Sequence, residues 1–200
     1  MYWAIYLITM FAGFAMMVRE GLWSNTITLV NIIISGLVAF GFYSPLVIYL
    51  DELSDGEHTY WLDFAVVWAL YAATMVVGRS ITAAASKTRM RFKNPIDPVG
   101  GPVAGLLAAW VFAAFALATL HMSPMPKNAF GGKLVHDDVE SAFFATSPDA
   151  AWLRFVEKMS QPTALGSPST GEFTAKDFVK IYEIRREKLE KLTSLIVDRG

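Results

Sequence analysis

The amino-acid sequence predicts an all-α polytopic membrane protein with four transmembrane helices and a small helical extracytoplasmic C-terminal tail. Apolar residues make up 54% of the 200 residues, and the mean hydropathy is +0.40. Residues 1–120 contain only 6 basic and 7 acidic side chains, whereas residues 121–200 contain 11 of each. A bilayer requires such depletion, because charges are costly in its hydrocarbon core. We therefore expect a transmembrane domain over residues 1–122 and a separate tail over residues 123–200.

The composition excludes several other classes of protein. High hydrophobicity with few charges rules out an intrinsically disordered chain, and a net charge of −1 disfavours a nucleic-acid partner. The absence of cysteine excludes disulfides, thiolate-bound metals and thiol catalysis. The sequence also lacks a phosphate-binding loop, a dinucleotide fingerprint and a Gly-x-Ser-x-Gly motif. We expect neither an enzymatic activity nor a cofactor.

The first apolar span runs from Met1 to Val18 without a charged residue. A helix of this length covers about 27 Å, which is close to the thickness of the hydrocarbon core. A cleaved signal peptide is the alternative, with Gly13 and Ala15 at the cleavage site. A signal peptide requires a basic residue before its apolar segment, and none precedes this span. We therefore expect a signal anchor that stays in the membrane.

Three further apolar spans follow. The second runs from Leu22 to Leu50, and Pro45 predicts either a kink or the outer end of the helix. The third covers about residues 60–78 and carries one charge, Asp63, near its start. The fourth covers about residues 99–120 without a charge. A soluble fold is disfavoured, because nothing in a chain of this size could cover four successive apolar helices.

The Lys and Arg residues of the short loops predict the orientation of the chain. The loop after the second span has no basic residue and four acidic ones. The loop after the third span has five basic residues: Arg79, Lys87, Arg89, Arg91 and Lys93. These basic side chains either contact anionic headgroups or act only as topology determinants. The basic loop is expected to be cytoplasmic, which places both termini outside.

Small residues at four-residue spacing predict where helices pack, because they let two backbones approach closely. Two spans carry such a series: Gly101, Gly105, Ala109 and Ala113 in the fourth, and Ala65, Ala69 and Ala73 in the third. The glycines favour a packing seam in the fourth span, since glycine costs about 1 kcal/mol in a helix. In the third span, chance is an equally good explanation.

The second span has a polar face made of Ser24, Thr28, Asn31 and Ser35. These residues lie on one side of a helix because they are three or four positions apart. The amide of Asn31 requires a hydrogen-bond partner where there is no water. The face predicts either a hydrogen-bonded seam between two helices or, alternatively, the wall of a polar pore.

Two short motifs resemble those of the colicin V production protein (CvpA) family, whose members are small bacterial inner-membrane proteins with four spanning helices. Asp97, Gly101 and Gly105 match the Asp and the two glycines that open the last membrane helix of this family. Arg19 and Gly21 match its turn between the first two helices, although Met17 and Glu20 stand where the family usually has glycine and a second base. The resemblance covers residues 1–122. It implies a role in toxin production or export and in envelope homeostasis.

Asp97 also has a physical interpretation of its own. A carboxylate just before a helix can accept backbone N–H bonds and interact favourably with the helix dipole. Pro95 and Pro98 favour a turn of the chain back into the membrane. We expect a structural cap, and a functional carboxylate is the alternative.

The tail is predicted to contain two helices after a linker rich in Pro and Gly over residues 121–146. The first helix covers residues 147–160, with Ser147 as its cap and Pro148 at the first helical position. Its apolar residues are Trp152, Phe155, Val156 and Met159. This face is expected to lie either on the membrane surface or on the second tail helix.

The second tail helix is predicted over residues 174–198, where Thr174 and Asp177 resemble a capping box. Arg185 interrupts its apolar stripe, which suggests docking onto a partner or another subunit. The stripe consists of Phe178, Ile181, Tyr182, Leu189, Leu192 and Ile196. The cluster His136, Asp137, Asp138 and Glu140 could bind a divalent metal, but its spacing matches no known pattern. We expect a solvated loop and no metal site.

Together these observations predict a membrane scaffold or accessory protein with no enzymatic activity, and the family resemblance implies that the membrane is the bacterial inner membrane. A channel or transporter that uses the polar face of the second span is the alternative. A third possibility is an assembly factor whose tail captures a soluble partner. The expected partners are the lipid bilayer and a second copy of the chain or other envelope proteins, with no nucleic acid.

Overall fold

The computed structural model describes residues 1–54, 59–85, 96–126, 130–131, 147–162, 164 and 173–191. This part of the chain is all-helical, with 87% of its residues in helices and no strand. The α-helices are α1 (Tyr2–Met17), α2 (Leu22–Leu53), α3 (Thr59–Ala85), α4 (Ile96–Thr119), α5 (Pro148–Ser160) and α6 (Ala175–Glu190). A 3₁₀ turn over Leu120–Met122 follows α4 directly.

Three of these helices are long and apolar enough to cross a membrane. They cover Leu22–Leu53, Tyr60–Ala85 and Ile96–Met122. The fourth apolar helix, α1, has 16 residues and a length of about 24 Å. The structure therefore supports three of the predicted spans by length and composition, and the count of four is not confirmed on these grounds alone.

Helix α2 is longer than a bilayer requires. Its 32 residues span about 48 Å, compared with about 30 Å of hydrocarbon. Pro45 lies inside the helix, which continues to Leu53, so the prediction that Pro45 marks its outer end is wrong. Its contacts with the tail helices include those of Gly36 and Phe40 with Trp152 and of Phe40 with Phe178.

One hydrophobic cluster joins α2, α3, α4, α5 and α6. Phe115, four residues before the end of α4, is fully buried and stacks on Tyr71 of α3, with 4.4 Å between ring centroids. Trp152 of α5 makes edge contacts with Phe115 and with Phe40 of α2, at centroid distances of 5.6 and 6.2 Å. The tail helices therefore share an aromatic core with the apolar helices.

Helix α5 packs chiefly on α4 and also contacts α6 and α2. Its buried face includes Trp152, Leu153 and Val156. The sequence predicted that this face lies on the membrane surface or on the second tail helix, whereas α5 packs mainly on α4. Ser147 precedes α5 as expected, but its side chain makes no capping hydrogen bond.

Helix α6 begins after Thr174, as predicted, although the Thr174 side chain does not cap it. The helix ends at Glu190 and Lys191 follows as its C-terminal cap, whereas residues 192–198 of the predicted helix lie outside the described residues. Its buried face consists of Ala175, Phe178, Val179, Tyr182 and Arg186, whereas Ile181 of the predicted stripe is exposed. The helix is therefore rotated so that Arg186 points inward.

The alanine series of the third span does not form a seam within this chain. Ala65, Ala69 and Ala73 are all exposed on the outside of the helix bundle.

Candidate functional site

The residues of the two family-like motifs meet where the α1–α2 turn touches the start of α4. Asp97 lies in the first turn of α4, and its Oδ1 accepts a hydrogen bond of 2.9 Å from the backbone N–H of Leu22. Leu22 is the first residue of α2, whose N–H groups lack partners within the helix. Asp97 therefore caps α2, whereas the sequence predicted that it caps its own helix, α4. The negative charge of Asp97 interacts favourably with the positive end of the α2 dipole.

The glycines of these motifs allow the backbones to approach. A methyl group on Gly101 would lie 2.9 Å from the backbone oxygen of Glu20, and one on Gly21 would lie 3.1 Å from Oδ1 of Asp97. A Cβ at Gly105 would lie 3.2 Å from the Cβ of Met17. A side chain at Gly101 therefore has to displace the backbone. Arg19, in contrast, is exposed.

The small residues of α4 continue this contact along α1. A Cβ built on Gly13 would lie 3.3 Å from that of Ala109, and Ala113 packs in a buried cluster with Tyr2 and Tyr6. The series that starts at Gly101 thus forms a seam against α1, as its spacing predicts.

Asn25 is a buried residue of this junction that the sequence analysis did not single out. Its Nδ2 donates to the backbone oxygens of Gly101 and Met17, at 2.8 and 3.0 Å. The side chain is 1% exposed, and one amide thereby joins α1, α2 and α4. An amide inside an apolar span, four residues after Gly21, was the signal that could have identified it.

Replacing Asp97 by alanine is expected to destabilise the protein by about 0.5–2 kcal/mol, which is the usual cost of losing an N-terminal cap. Asp97→Asn should cost less, because its side-chain oxygen can still accept the N–H of Leu22. Thermal unfolding of the purified protein in detergent would measure both. If Asp97→Ala unfolds at the wild-type temperature, the capping hydrogen bond does not contribute to stability.

The deeper part of the polar face of α2 contacts α3. Asn31 Nδ2 donates to Oγ1 of Thr82 at 3.3 Å, and a Cβ on Gly78 would lie 3.0 Å from Asn31 Oδ1. The hydroxyl of Ser35 lies 3.9 Å from the sulfur of Met75. These contacts favour the interhelical seam over the wall of a pore.

The Thr28 hydroxyl of this face bonds within α2. Thr28 Oγ1 donates to the backbone oxygen of Ser24 at 2.9 Å. A hydroxyl that bonds the preceding turn is satisfied without another helix.

A second polar cluster lies at the opposite end of the bundle and was not predicted. The Tyr2 hydroxyl donates to Asp149 Oδ1 at 2.5 Å, and His121 Nε2 lies 2.9 Å from Asp149 Oδ2. Tyr2 is 2% exposed, and Asp149 and His121 are fully buried. The three side chains come from α1, from the 3₁₀ turn after α4 and from α5. We call them the Tyr2–Asp149–His121 network.

In this network the Tyr2 hydroxyl and the His121 ring both contact the carboxylate of Asp149. An ionised Asp149 only accepts hydrogen bonds, so the proton of each contact belongs to the tyrosine hydroxyl and to Nε2 of the histidine. Asp149 also lies in the first turn of α5, where the helix dipole stabilises a negative charge. The arrangement can hold three helices together in a buried setting, because both oxygens of the Asp149 carboxylate have a partner.

An ion pair between Arg185 of α6 and Asp63 of α3 makes another link to the tail. Asp63 is 3% exposed, whereas the side chain of Arg185 is 38% exposed and also lies over the ring of Tyr182. The sequence analysis noted both residues as separate irregularities and did not pair them. Burial raises the pKa of the nearby Tyr182 hydroxyl, which stays protonated.

The suggested metal cluster at residues 136–140 lies outside the described residues. In the described ranges, no group of three or more His, Asp or Glu side chains is placed to hold a metal ion.

Among three comparisons with known proteins, one identifies a family. Neither the curated proteins nor the solved structures gave a match. Among protein-family models, the one described as Colicin V production protein matches residues 3–148, which extends past the expected limit at residue 122 and takes in the first residue of α5. The matched region contains both motifs and three helices that fit a multi-pass membrane protein. The chain therefore belongs to the Colicin V production protein family.

Proposed function

We propose that this protein is a non-enzymatic scaffold or accessory subunit of the bacterial inner membrane, linked to toxin production or export or to envelope homeostasis. Helices α1 to α4 form the membrane part, and α5 and α6 form a fixed platform on the extracytoplasmic side. The observation that supports it best is the Tyr2–Asp149–His121 network, which ties the platform to the bundle.

The contacts between α1 and α4 support four spans. Met17 lies beside Gly105, Gly13 lies beside Ala109, and Tyr2 and Tyr6 cluster with residues near the end of α4. Helix α1 therefore runs antiparallel along most of α4. If α4 crosses the bilayer, α1 crosses it as well, despite its 16 residues.

The same contacts support retention of the first span. Cleavage after Ala15 would remove Tyr2 from the network and Gly13 from the seam. A signal anchor is consistent with both contacts.

A topology measurement tests the orientation. The excess of basic residues in the loop after α3 predicts that this loop is cytoplasmic and that the C-terminus lies outside. A phosphatase fused after Gly200 is expected to be active and a fluorescent protein that folds only in the cytoplasm to be dark. The reverse pattern would contradict the proposed sidedness.

The scaffold and the transporter make different predictions. Because Asn31 and Ser35 contact α3, the polar face of α2 is used in packing. Purified protein in liposomes is therefore expected to show no solute flux above that of empty vesicles. Flux that is abolished by Asn31→Leu would support the channel or transporter instead.

Photo-cross-linking in native membranes tests the scaffold itself. A cross-linking residue at Ile184, which is 45% exposed on α6, is expected to give adducts with another envelope protein or with a second copy of the chain. The matched control at the buried Val179 of the same helix should give only contacts within the chain. If both positions give the same products, the platform does not present a partner surface.

A further inference from the structure

Arg186 of α6 is a buried cation whose donors are unused. The residue is 3% exposed, and no atom of the described residues accepts a hydrogen bond from Nε or either terminal nitrogen of its guanidinium. Burying a guanidinium without partners is unfavourable, because its hydration is lost and nothing replaces it. Burial lowers the pKa of Arg186, and the carboxylate of Glu183 opposes this effect.

The Arg186 side chain lines a small pocket at the end of the bundle that carries the network. Polar side chains around this pocket come from Tyr60, His121, Ser123, Tyr182, Arg185 and Arg186. Its volume of about 10 Å³ has room for one group the size of a water molecule. Two carboxylates near the pocket are already engaged, since Asp149 contacts His121 and Asp63 pairs with Arg185.

The chemistry of this pocket fits one oxygen atom of an oxyanion. A guanidinium presents a rigid fork of N–H donors that matches the oxygens of a phosphate or a carboxylate. Tyr60 and Ser123, which carry hydroxyl groups, also line the pocket, as does Arg185, whose guanidinium pairs with Asp63. An anion that inserts an oxygen here would satisfy the donors of Arg186.

We propose that this pocket is a binding site for a phosphate-type oxyanion, which is either a free phosphate or the phosphate of an anionic lipid headgroup. Tyr60 and the residues after α4 lie at the ends of two apolar helices, which is the level of the headgroups if these helices span the membrane. Both sources offer the same chemistry to Arg186, and the experiment below distinguishes them.

The test uses the full chain purified in an uncharged detergent. Thermal unfolding is followed with sodium phosphate against sodium chloride at equal ionic strength, and separately with micelles of short-chain phosphatidylglycerol against uncharged micelles. Stabilisation by phosphate identifies a free anion, and stabilisation by phosphatidylglycerol alone identifies the headgroup. If neither raises the unfolding temperature, the proposal is wrong.

Variants assign the effect to the pocket. Arg186→Met is expected to fold as well as the wild type without ligand, because it removes an unpaired buried charge, and to weaken anion binding by about tenfold or more. Arg19→Met, which removes an exposed cation, should respond like the wild type. A full response in Arg186→Met, or failure of that variant to fold, would overturn the proposal, since the guanidinium would then be unnecessary for binding or required by the fold.

Discussion

Replacing Gly36 by alanine is expected to displace α5 from the helix bundle. A methyl group on Gly36 would lie 2.5 Å from two ring carbons of Trp152, and real Cβ atoms essentially never make such contacts. The indole cannot shift easily, because its ring is packed against Phe40 and Phe115. Overpacking of this kind usually costs about 1–3 kcal/mol, and we expect a value at the upper end of that range.

The protein offers a matched control for this substitution. Gly41 lies in the same helix, and a Cβ built there meets no atom within 4 Å. Gly41→Ala should therefore be neutral or slightly stabilising, since alanine favours a helix more than glycine does. The two variants add the same methyl group five residues apart.

Cysteine labelling would measure the displacement directly, because the chain has no cysteine of its own. Leu153 is fully buried in α5, so Leu153→Cys should resist a water-soluble maleimide in the otherwise wild-type protein. The combination with Gly36→Ala should label rapidly, and the combination with Gly41→Ala should not. Equal labelling of both combinations would show that a methyl group at position 36 does not displace Trp152 and α5.

Replacing Asp149 by alanine is expected to be the most destabilising change in the Tyr2–Asp149–His121 network. It leaves the Tyr2 hydroxyl and the His121 imidazole buried without their shared acceptor. Loss of one partner from a buried charged contact typically costs about 3–5 kcal/mol. Asp149→Asn should cost less, because an amide oxygen can still accept one of the two hydrogen bonds.

Thermal unfolding in detergent would measure these costs, with Asp177→Ala as the control. Asp177 lies in the first turn of α6, as Asp149 does in α5, but its side chain is exposed. The control should change stability by less than about 0.5–1 kcal/mol. Tyr2→Phe and Asp149→Ala should be less than additive when combined, because both remove the same hydrogen bond. Full additivity would mean that the two side chains do not interact.

Local features of the sequence predicted the helices well. Helix α2 begins at Leu22, as predicted, because Arg19, Glu20 and Gly21 form a short turn that separates the first apolar run from the second. The seam from Gly101 to Ala113 was predictable because a fixed spacing places small residues on one face of a helix. Both properties depend on residues that are close in the sequence.

The contacts between the tail and the bundle could not be predicted in the same way. Tyr2 and Asp149 are 147 positions apart, and neither residue is unusual in its local context. Asp63 and Arg185 were each visible as a charge in an apolar pattern, but nothing in one segment identifies its partner in another. The inward rotation of α6, which buries Arg186 and exposes Ile181, depends on the same tertiary packing.

The hydrogen bond between Tyr2 and Asp149 also has a consequence for biosynthesis. The ribosome makes the tyrosine first and the carboxylate it binds 147 residues later. While the preceding helices are being synthesised, the carboxylate that contacts the Tyr2 hydroxyl and the His121 ring does not yet exist. The contact that joins α1 to the tail can therefore form only after translation has passed residue 149.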